Sequence, residues 1–364
     1  MKIIRSSKVN LKFSTADKRR KLEIIMLEYS KAVNFWINRF WVETPENKDL
    51  LKSLLDEIKP FTKLSYRMIS ESAREAVGMI KSAKTVAIGR EEEPVRPTHR
   101  GNKMQLSSRI ALLQETKTAE SFDRWLHVYS IGLDMKPFDI PIRQHIQFNQ
   151  LLVEGNICSS IVIMKNHVMF SFEIDTGPKL PPDKCVGIDT GIKTLAALST
   201  GERLGTDIES YIKKINRKKH GSKSQQRSRR ALRQRIDEIA KEVINQSNAT
   251  LIVVERLKGI TKNTRKRMVK PMRNVIGSWN VRHWLTRLQQ NCERNRVSFR
   301  TVQPYYTSQT CSACGYVDKN SRHKESFSCT ECGHTEHADT NAAKNILSRY
   351  LSGKYGSGCE ALRI

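Results

Sequence analysis

Two sets of side chains in this sequence have the types and spacing to do chemistry. Cys311-Ser312-Ala313-Cys314 and Cys329-Thr330-Glu331-Cys332 are two CxxC knuckles with 14 residues between them. Each knuckle brings two thiolates together through a tight turn, and Gly315 and Gly333, directly after the pairs, supply the backbone freedom the turn needs. Four thiolates form a closed tetrahedral shell, the way structural zinc is held. With every ligand position filled by sulfur, zinc at Cys311, Cys314, Cys329 and Cys332 is expected to contribute folding energy and not catalysis. The other use of such spacing, redox pairs or a disulfide clip, does not suit a reducing compartment. His323, His334 and His337 lie nearby, but four cysteines suffice, so these histidines are read as surface or DNA-facing. Cys158, Cys185, Cys292 and Cys359 are scattered and read as small buried or incidental side chains.

The second set is acidic. Asp189 ends the apolar run Val186-Gly187-Ile188, Glu255 ends Leu251-Ile252-Val253-Val254, and Asp339 opens the last helical stretch just after the knuckles. Singly, each has an ordinary explanation, because an acid after a strand is often a turn residue or a helix cap. Together, in a basic chain, they suggest a site for hard cations. Phosphodiester hydrolysis can be driven by two divalent ions about 3.5–4 Å apart. Magnesium prefers oxygen ligands. Carboxylates packed together repel until a metal binds, so such a site is poised for it. Asp189-Thr190-Gly191 and Asp175-Thr176-Gly177 also spell the triplet of aspartic proteases. A two-lobed protease needs its copies in separate lobes, and these two lie too close in sequence.

The elements that must carry these residues can be read from periodicity. Residues 3–13 read as a strand, after which Ser14 can cap a helix with Asp17 in its first turn. Leu22, Ile25, Met26, Tyr29, Val33, Trp36, Ile37 and Phe40 recur at helical spacing and form a core stripe. Further helices are expected near 47–58, 65–84 and 116–126, with a loop near Glu91–Arg100. Short β-rich runs follow at 126–133, 144–153, 157–164 and 167–175, with a turn at Lys165-Asn166. The simplest first half is a small β-barrel with helices inserted, ending in the linker Gly177-Pro178-Lys179-Leu180-Pro181-Pro182. In the second half, Cys185–Ile188 reads as a buried strand with Leu195–Leu198 as its hairpin partner. Residues 207–246 read as helical, 251–254 as a strand, 275–294 as a helix, 297–303 as a strand and 340–351 as a final helix. Strands first and then alternating helices and strands predict an α/β fold of the RNase H type.

Charge points the same way. Lysine and arginine total 64 against 37 acids, a net +27, which asks for a polyanionic partner. The 364 residues suit two or three domains, and the 38% hydrophobic content is enough to build real cores. Residues 211–235 hold eleven lysines and arginines and no acid, and 258–273 hold seven more, again with no acid. Phosphate contacts are expected from Lys213, Lys214, Arg217, Lys218, Lys219, Arg227, Arg229, Arg230, Arg233 and Arg235, and from Lys262, Arg265, Lys266 and Arg267. Tyr305 and Tyr306 beside the knuckles could stack on splayed bases, whereas Trp279 and Trp284 read as core. No apolar run approaches the ~20 residues of a membrane span, and Met1–Arg5 lacks a signal-peptide core, so a cytoplasmic chain acting on DNA is expected.

Three segments resemble one family. Gly187-Ile188-Asp189-Thr190-Gly191-Ile192-Lys193 resembles the first RuvC motif of the TnpB (OrfB) family, and Val253-Val254-Glu255-Arg256-Leu257 the second. Asp339-Thr340-Asn341-Ala342-Ala343-Lys344-Asn345-Ile346 is similar to the third, and Thr307-Ser308-Gln309-Thr310 before the first knuckle is also typical. The likeness is strongest over about 185–347, while 258–283 departs from the pattern. The family comprises RNA-guided DNA endonucleases of insertion sequences, related to compact type V CRISPR effectors. The resemblance implies a RuvC-like α/β nuclease domain with an inserted zinc ribbon, preceded by a wedge barrel with a helical insertion. The corresponding boundaries are 1–13 and 126–182 for the wedge and 14–125 for the helical recognition block. They are 183–306 and 337–364 for the nuclease and 307–336 for the ribbon. It further implies catalytic, magnesium-binding roles for Asp189, Glu255 and Asp339, and guide RNA and target DNA as partners. A nuclease-inactive guided repressor would be expected to have lost an acid, and a strand-transfer transposase would carry other motifs.

If the basic runs contact phosphates, nucleic-acid affinity should fall steeply with salt, by roughly tenfold or more between 50 and 200 mM. A flat salt titration would contradict that reading.

Overall fold

The computed structural model describes residues 1–115, 122–257 and 277–353. The chain forms two compact units, Lys2–Asp175 and a second made of Thr176–Ile364 with Met1.

In Lys2–Asp175, β1 (Lys2–Asn10) pairs antiparallel along its whole length with β7 (His167–Asp175). β7 buries every second residue, Val168, Phe170, Phe172 and Ile174, as a strand with one face on a core must. β6 (Asn156–Met164) and β2 (Lys103–Ser107) complete a four-stranded sheet in the order β1-β7-β6-β2. A second antiparallel sheet contains β3 (Ala111–Glu115), β4 (Arg124–Val128) and β5 (Phe138–Ile142). Helices α1 (Ala16–Phe40) and α3 (Tyr66–Ile88) share the core of these sheets. The α1 stripe is buried as its spacing predicts, with Trp36 stacked on Phe40 and its indole N–H donating to Ser72 Oγ at 3.2 Å.

Several expectations for this unit need correction. Thr15, not Ser14, caps α1, since its hydroxyl accepts from the Lys18 N–H. The helix expected at 47–58 is broken into short turns around α2 (Lys52–Leu55), and Pro60 lies in the last of them. The helix expected at 116–126 is not formed at its C-terminal end, where Arg124 begins β4; residues 116–121 lie outside the described residues. The strand expected at 144–153 is instead α4 (Ile146–Glu154), capped by His145. Its Phe148 and Leu151 share one buried face, and Phe148 meets Phe170 and Phe172 edge-on at 5.4 and 5.2 Å. The span 14–125 is therefore not helical throughout, since β2, β3 and the start of β4 lie within it.

In the second unit, β8 (Cys185–Asp189), β11 (Leu251–Glu255) and β12 (Ser298–Val302) are parallel. β9 (Ala196–Leu198) is the antiparallel hairpin partner of β8, and β10 (Arg203–Leu204) lies outside it. The sheet order is β10-β9-β8-β11-β12. Helices α5 (Ile208–Asn216), α6 (Lys223–Ser247) and α7 (Val281–Arg294) share one core cluster with Ile188, Ile252 and Val254. Helix α8 (Ala338–Leu351) contributes Ile346 and Tyr350 to a second cluster with Leu251 and Val253. Both faces of β11 are thus covered, which is why its first four residues are all apolar. A small three-stranded sheet, β13 (Arg322–His323), β14 (Ser326–Ser328) and β15 (Thr335–His337), leads directly into α8. Among the described residues no helix is long and apolar enough to cross a membrane.

Gly187 sets how closely α8 approaches the sheet, because a Cβ there would lie 2.2 Å from the Ala343 carbonyl oxygen. Gly187→Ala should lower the melting temperature by several degrees, matching the roughly 1–3 kcal/mol of an overpacked core. An unchanged melting curve would show that α8 packs less tightly than described.

Candidate active site and metal centre

Asp189 and Glu255 are the last residues of neighbouring parallel strands, in a register that pairs Ile188 with Val254. Strand alternation fixes where the two acids point. Ile188 and Val254 belong to the core beneath α5, α6 and α7, so the residue after each faces the opposite layer, that of α8. Asp339 sits in the first turn of α8. The three acids therefore come from two strand ends and one helix start, and they sense one another. Burial pushes the Asp189 carboxyl up to about 7, and the charges of Glu255 and then Asp339 add to the rise. Glu255 is also raised by burial, against the lowering effects of the Thr307 hydroxyl, Arg349 and Arg322. Thr307 Oγ1 donates to Glu255 Oε1. Arg322 Nη2 lies 2.9 Å from Asp339 Oδ1. His337 Nδ1 accepts from the Asp339 N–H at 3.2 Å, while its Nε2 is buried without a hydrogen-bond partner among the described residues. Oxygen donors that resist ionising together suit a hard divalent cation, whose charge would remove the conflict.

The four knuckle cysteines have sulfurs all within 4.8 Å of one another. Cys311 Sγ lies 3.7 Å from Cys332 Sγ, and Cys314 Sγ 3.6 Å from Cys329 Sγ. A tetrahedron of 2.3 Å metal–sulfur bonds has edges of about 3.8 Å, so the sulfurs are spaced for a tetrahedral metal ion. Within the cluster the Cys329 thiol is held down to about 7, led by the Cys332 N–H donating at 3.5 Å, while the Cys314 thiol is pushed up to about 12. Cys185 and Cys158 are half-buried and Cys292 fully buried, with its thiol pushed up by burial; Cys359 lies outside the described residues.

The ribbon is tied to α8 by Asn341 and Asn345, which belong to the third motif but had no role assigned from the sequence, and by Arg349 beyond it. Asn341, fully buried, donates to the Thr310 carbonyl at 2.7 Å and accepts from the Ser312 N–H at 2.8 Å. Asn345, one turn on, donates to the Thr307 and Thr310 carbonyls at 3.0 and 2.6 Å. Arg349 donates to the carbonyls of Gln303 and Tyr305. Three polar residues four apart on a helix, just after a candidate ligand, were the available signal for this clasp. His334 and His337 are not free surface groups, since His334 pairs with Glu336 at 2.9 Å and His337 caps α8; His323 is exposed.

Of the basic residues, Lys213, Lys214, Arg217, Lys219, Arg227, Arg230 and Arg233 are exposed, and Lys218 and Arg229 are half-buried. Arg235 instead turns inward, 2.9 Å from Asp207 and 2.8 Å from Glu242. Lys262, Arg265, Lys266 and Arg267 lie outside the described residues. Trp284 is core and donates to Thr190 Oγ1 at 3.2 Å, Trp279 packs against the same core, and Tyr305 and Tyr306 are exposed.

Residues 282–346, spanning α7, the ribbon and Asp339, match the Cas12f1-like TNB domain family. A TnpB-like protein of Aquifex aeolicus is 33% identical over 129 residues, covering 35% of this chain and 41% of its own length. The chain is thus similar to TnpB-like proteins and to the compact type V effectors. The chain is also similar to the CRISPR-associated endodeoxyribonuclease Cas12f1 of Syntrophomonas palmitatica. The two are 24% identical over 236 residues, 47% of this chain and 46% of that one. These matches span less than half of either relative's length. The protein in a Cas12f1–sgRNA–target DNA complex superposes with a TM-score of 0.59 at 14% identity, covering 95% of this chain and 98% of that one.

Because Asp189 is raised, its ionisation opposes folding. The penalty is absent below about pH 4, grows as pH rises towards 7 and is complete above it. In zinc-loaded protein without added magnesium, Asp189→Asn should therefore match the parent's stability near pH 4 and exceed it at pH 8 by about 2 kcal/mol, a few degrees in thermal melts. Parallel pH profiles for the two proteins would contradict the assignment.

Proposed function

We propose that this chain is an RNA-guided, divalent-metal-dependent DNA endonuclease with a RuvC-like active site of Asp189, Glu255 and Asp339. The observation that carries the reading is the convergence of these three acids at the ends of β8 and β11 and the start of α8. The five-stranded sheet, with an antiparallel hairpin followed by parallel strands, supports an RNase H-type nuclease core from 183 onward, interrupted by the ribbon at 307–336. Residues 1–13 and 126–182 would then be the wedge and 14–125 the recognition block. The relative from Syntrophomonas is named an endodeoxyribonuclease, and the superposed neighbour was solved with sgRNA and target DNA.

Two magnesium ions at this site would activate the attacking water and stabilise the leaving oxygen. The protein's own residues set the stage for this. Asp189 and Glu255 are fixed by adjacent strand ends, and the Thr307 hydroxyl orients Glu255. Arg322 balances the charge of Asp339 before a cation arrives. Zinc held by Cys311, Cys314, Cys329 and Cys332 would lock the ribbon, and so fix where Thr307 and Arg322 stand. The exposed cations of α5 and α6 would contact phosphates, leaving sequence choice to base pairing with the guide.

The test begins with sequencing the RNA that co-purifies when the chain is expressed with its native flanking DNA. One discrete RNA with a variable end is expected. With that RNA and a matched target, Asp189→Ala should retain RNA and lose magnesium-dependent cleavage by at least about a thousandfold. Cleavage by the variant would show that the active site lies elsewhere.

A further inference from the structure

Three aromatic rings in Lys2–Asp175 stand outside its buried core. In β4, Leu126 and Val128 are fully buried, so Trp125, His127 and Tyr129 occupy the opposite face of the three-stranded sheet. There Trp125 meets Phe122 edge-on at 5.8 Å, and Phe122 meets Phe13 in the same way at 5.6 Å. His127 and Tyr129 stack on one another at 5.3 Å. Phe13, Phe122 and Trp125 are half-buried, and none belongs to the hydrophobic core.

Cations sit over two of these rings and would swing aside to phosphates as bases stack. Lys18 Nζ lies 5.3 Å from the centroid of Trp125, and Lys12 Nζ and the Arg143 guanidinium lie 4.8 and 5.8 Å from that of Phe13. The nearby carboxylates are engaged. Asp17 pairs with Lys21 at 2.8 Å, Asp123 accepts from the Gln144 N–H at 2.7 Å, and Asp139 holds His127 Nδ1 at 2.7 Å. Rings that build no core, beside cations whose acidic neighbours are already occupied, match the two chemical needs of a single-stranded nucleic acid. Bases stack on aromatic faces whatever their identity, and adjacent phosphates seek positive charge. A paired duplex hides its base faces, so the ligand must present unpaired bases.

We propose that this face is a stacking platform for unpaired bases of the guide RNA, with Trp125 and Phe13 against the bases and Lys12, Lys18 and Arg143 taking the flanking phosphates. The proposal rests on the RNA-guided reading of the chain. It gives the first unit an RNA contact separate from the basic helices of the second.

The complex should be assembled from the full chain and its co-purifying RNA transcribed with 4-thiouridine, irradiated, digested and mapped by mass spectrometry. Crosslinks on Phe13 or within Phe122–Tyr129 are expected. Trp125→Ala should weaken binding of that RNA about tenfold, and Trp125→Phe by less than about threefold, as stacking lost and kept would give. Because the crosslink is read on the unaltered chain, it stands even if a variant folds poorly. RNA retained with all crosslinks elsewhere, and Trp125→Ala binding like the parent, would overturn the platform while leaving the guided reading intact. A chain that holds no discrete RNA would overturn both.

Discussion

Asp189, Glu255 and Asp339 repel one another in a half-buried setting, and the C-terminal unit is the frame that holds them against that repulsion. Two of the acids cannot retreat because they end adjacent parallel strands whose inner residues are fully buried. The third is fixed because α8 lies so close to β8 that only glycine fits at position 187. The raised proton affinity of Asp189 is the cost of this arrangement, about 1.4 kcal/mol for each factor of ten. In the proposed reading, a divalent cation would turn the same geometry from a conflict into a ligand set.

The ribbon belongs to this frame. Asn341 and Asn345 join the backbone around the first knuckle to the helix that carries Asp339, and Thr307 reaches from the same segment to Glu255. A metal ion held by the four sulfurs would therefore act on the acids indirectly, by fixing the chain from Thr307 to Arg322. The buried amides matter because each would be left unsatisfied if the segment moved, at about 1–3 kcal/mol per group.

Much of the second unit was legible in the sequence because its signals are local. Four apolar residues ending in an acid, or two CxxC pairs each followed by glycine, specify a buried strand or a knuckle without reference to distant residues. The first unit was harder. The run 144–153 reads as a strand by composition, yet Phe148 is held as a helical residue by Phe170 and Phe172, far along the chain. The strands β2, β3 and β5 are five residues long, too short for alternation to outweigh the surrounding helical pattern. Arg235 sits in a basic run, and only the fold shows that Asp207 and Glu242 close around it. Arg322 carries no motif of its own and Thr307 lies in a family-typical segment that gives it no role, so the importance of both lies in which acid each one reaches.

The central claim, that the three acids form one metal site, can be tested without any nucleic acid. Manganese binding to the zinc-loaded chain can be followed by electron paramagnetic resonance, comparing the parent with Glu255→Gln and Asp339→Asn. The account predicts manganese bound by the parent, with affinity rising as pH increases through about 7 and strongly reduced in each variant. Equal binding by all three proteins would mean that these carboxylates, though neighbours in the fold, do not hold a cation together.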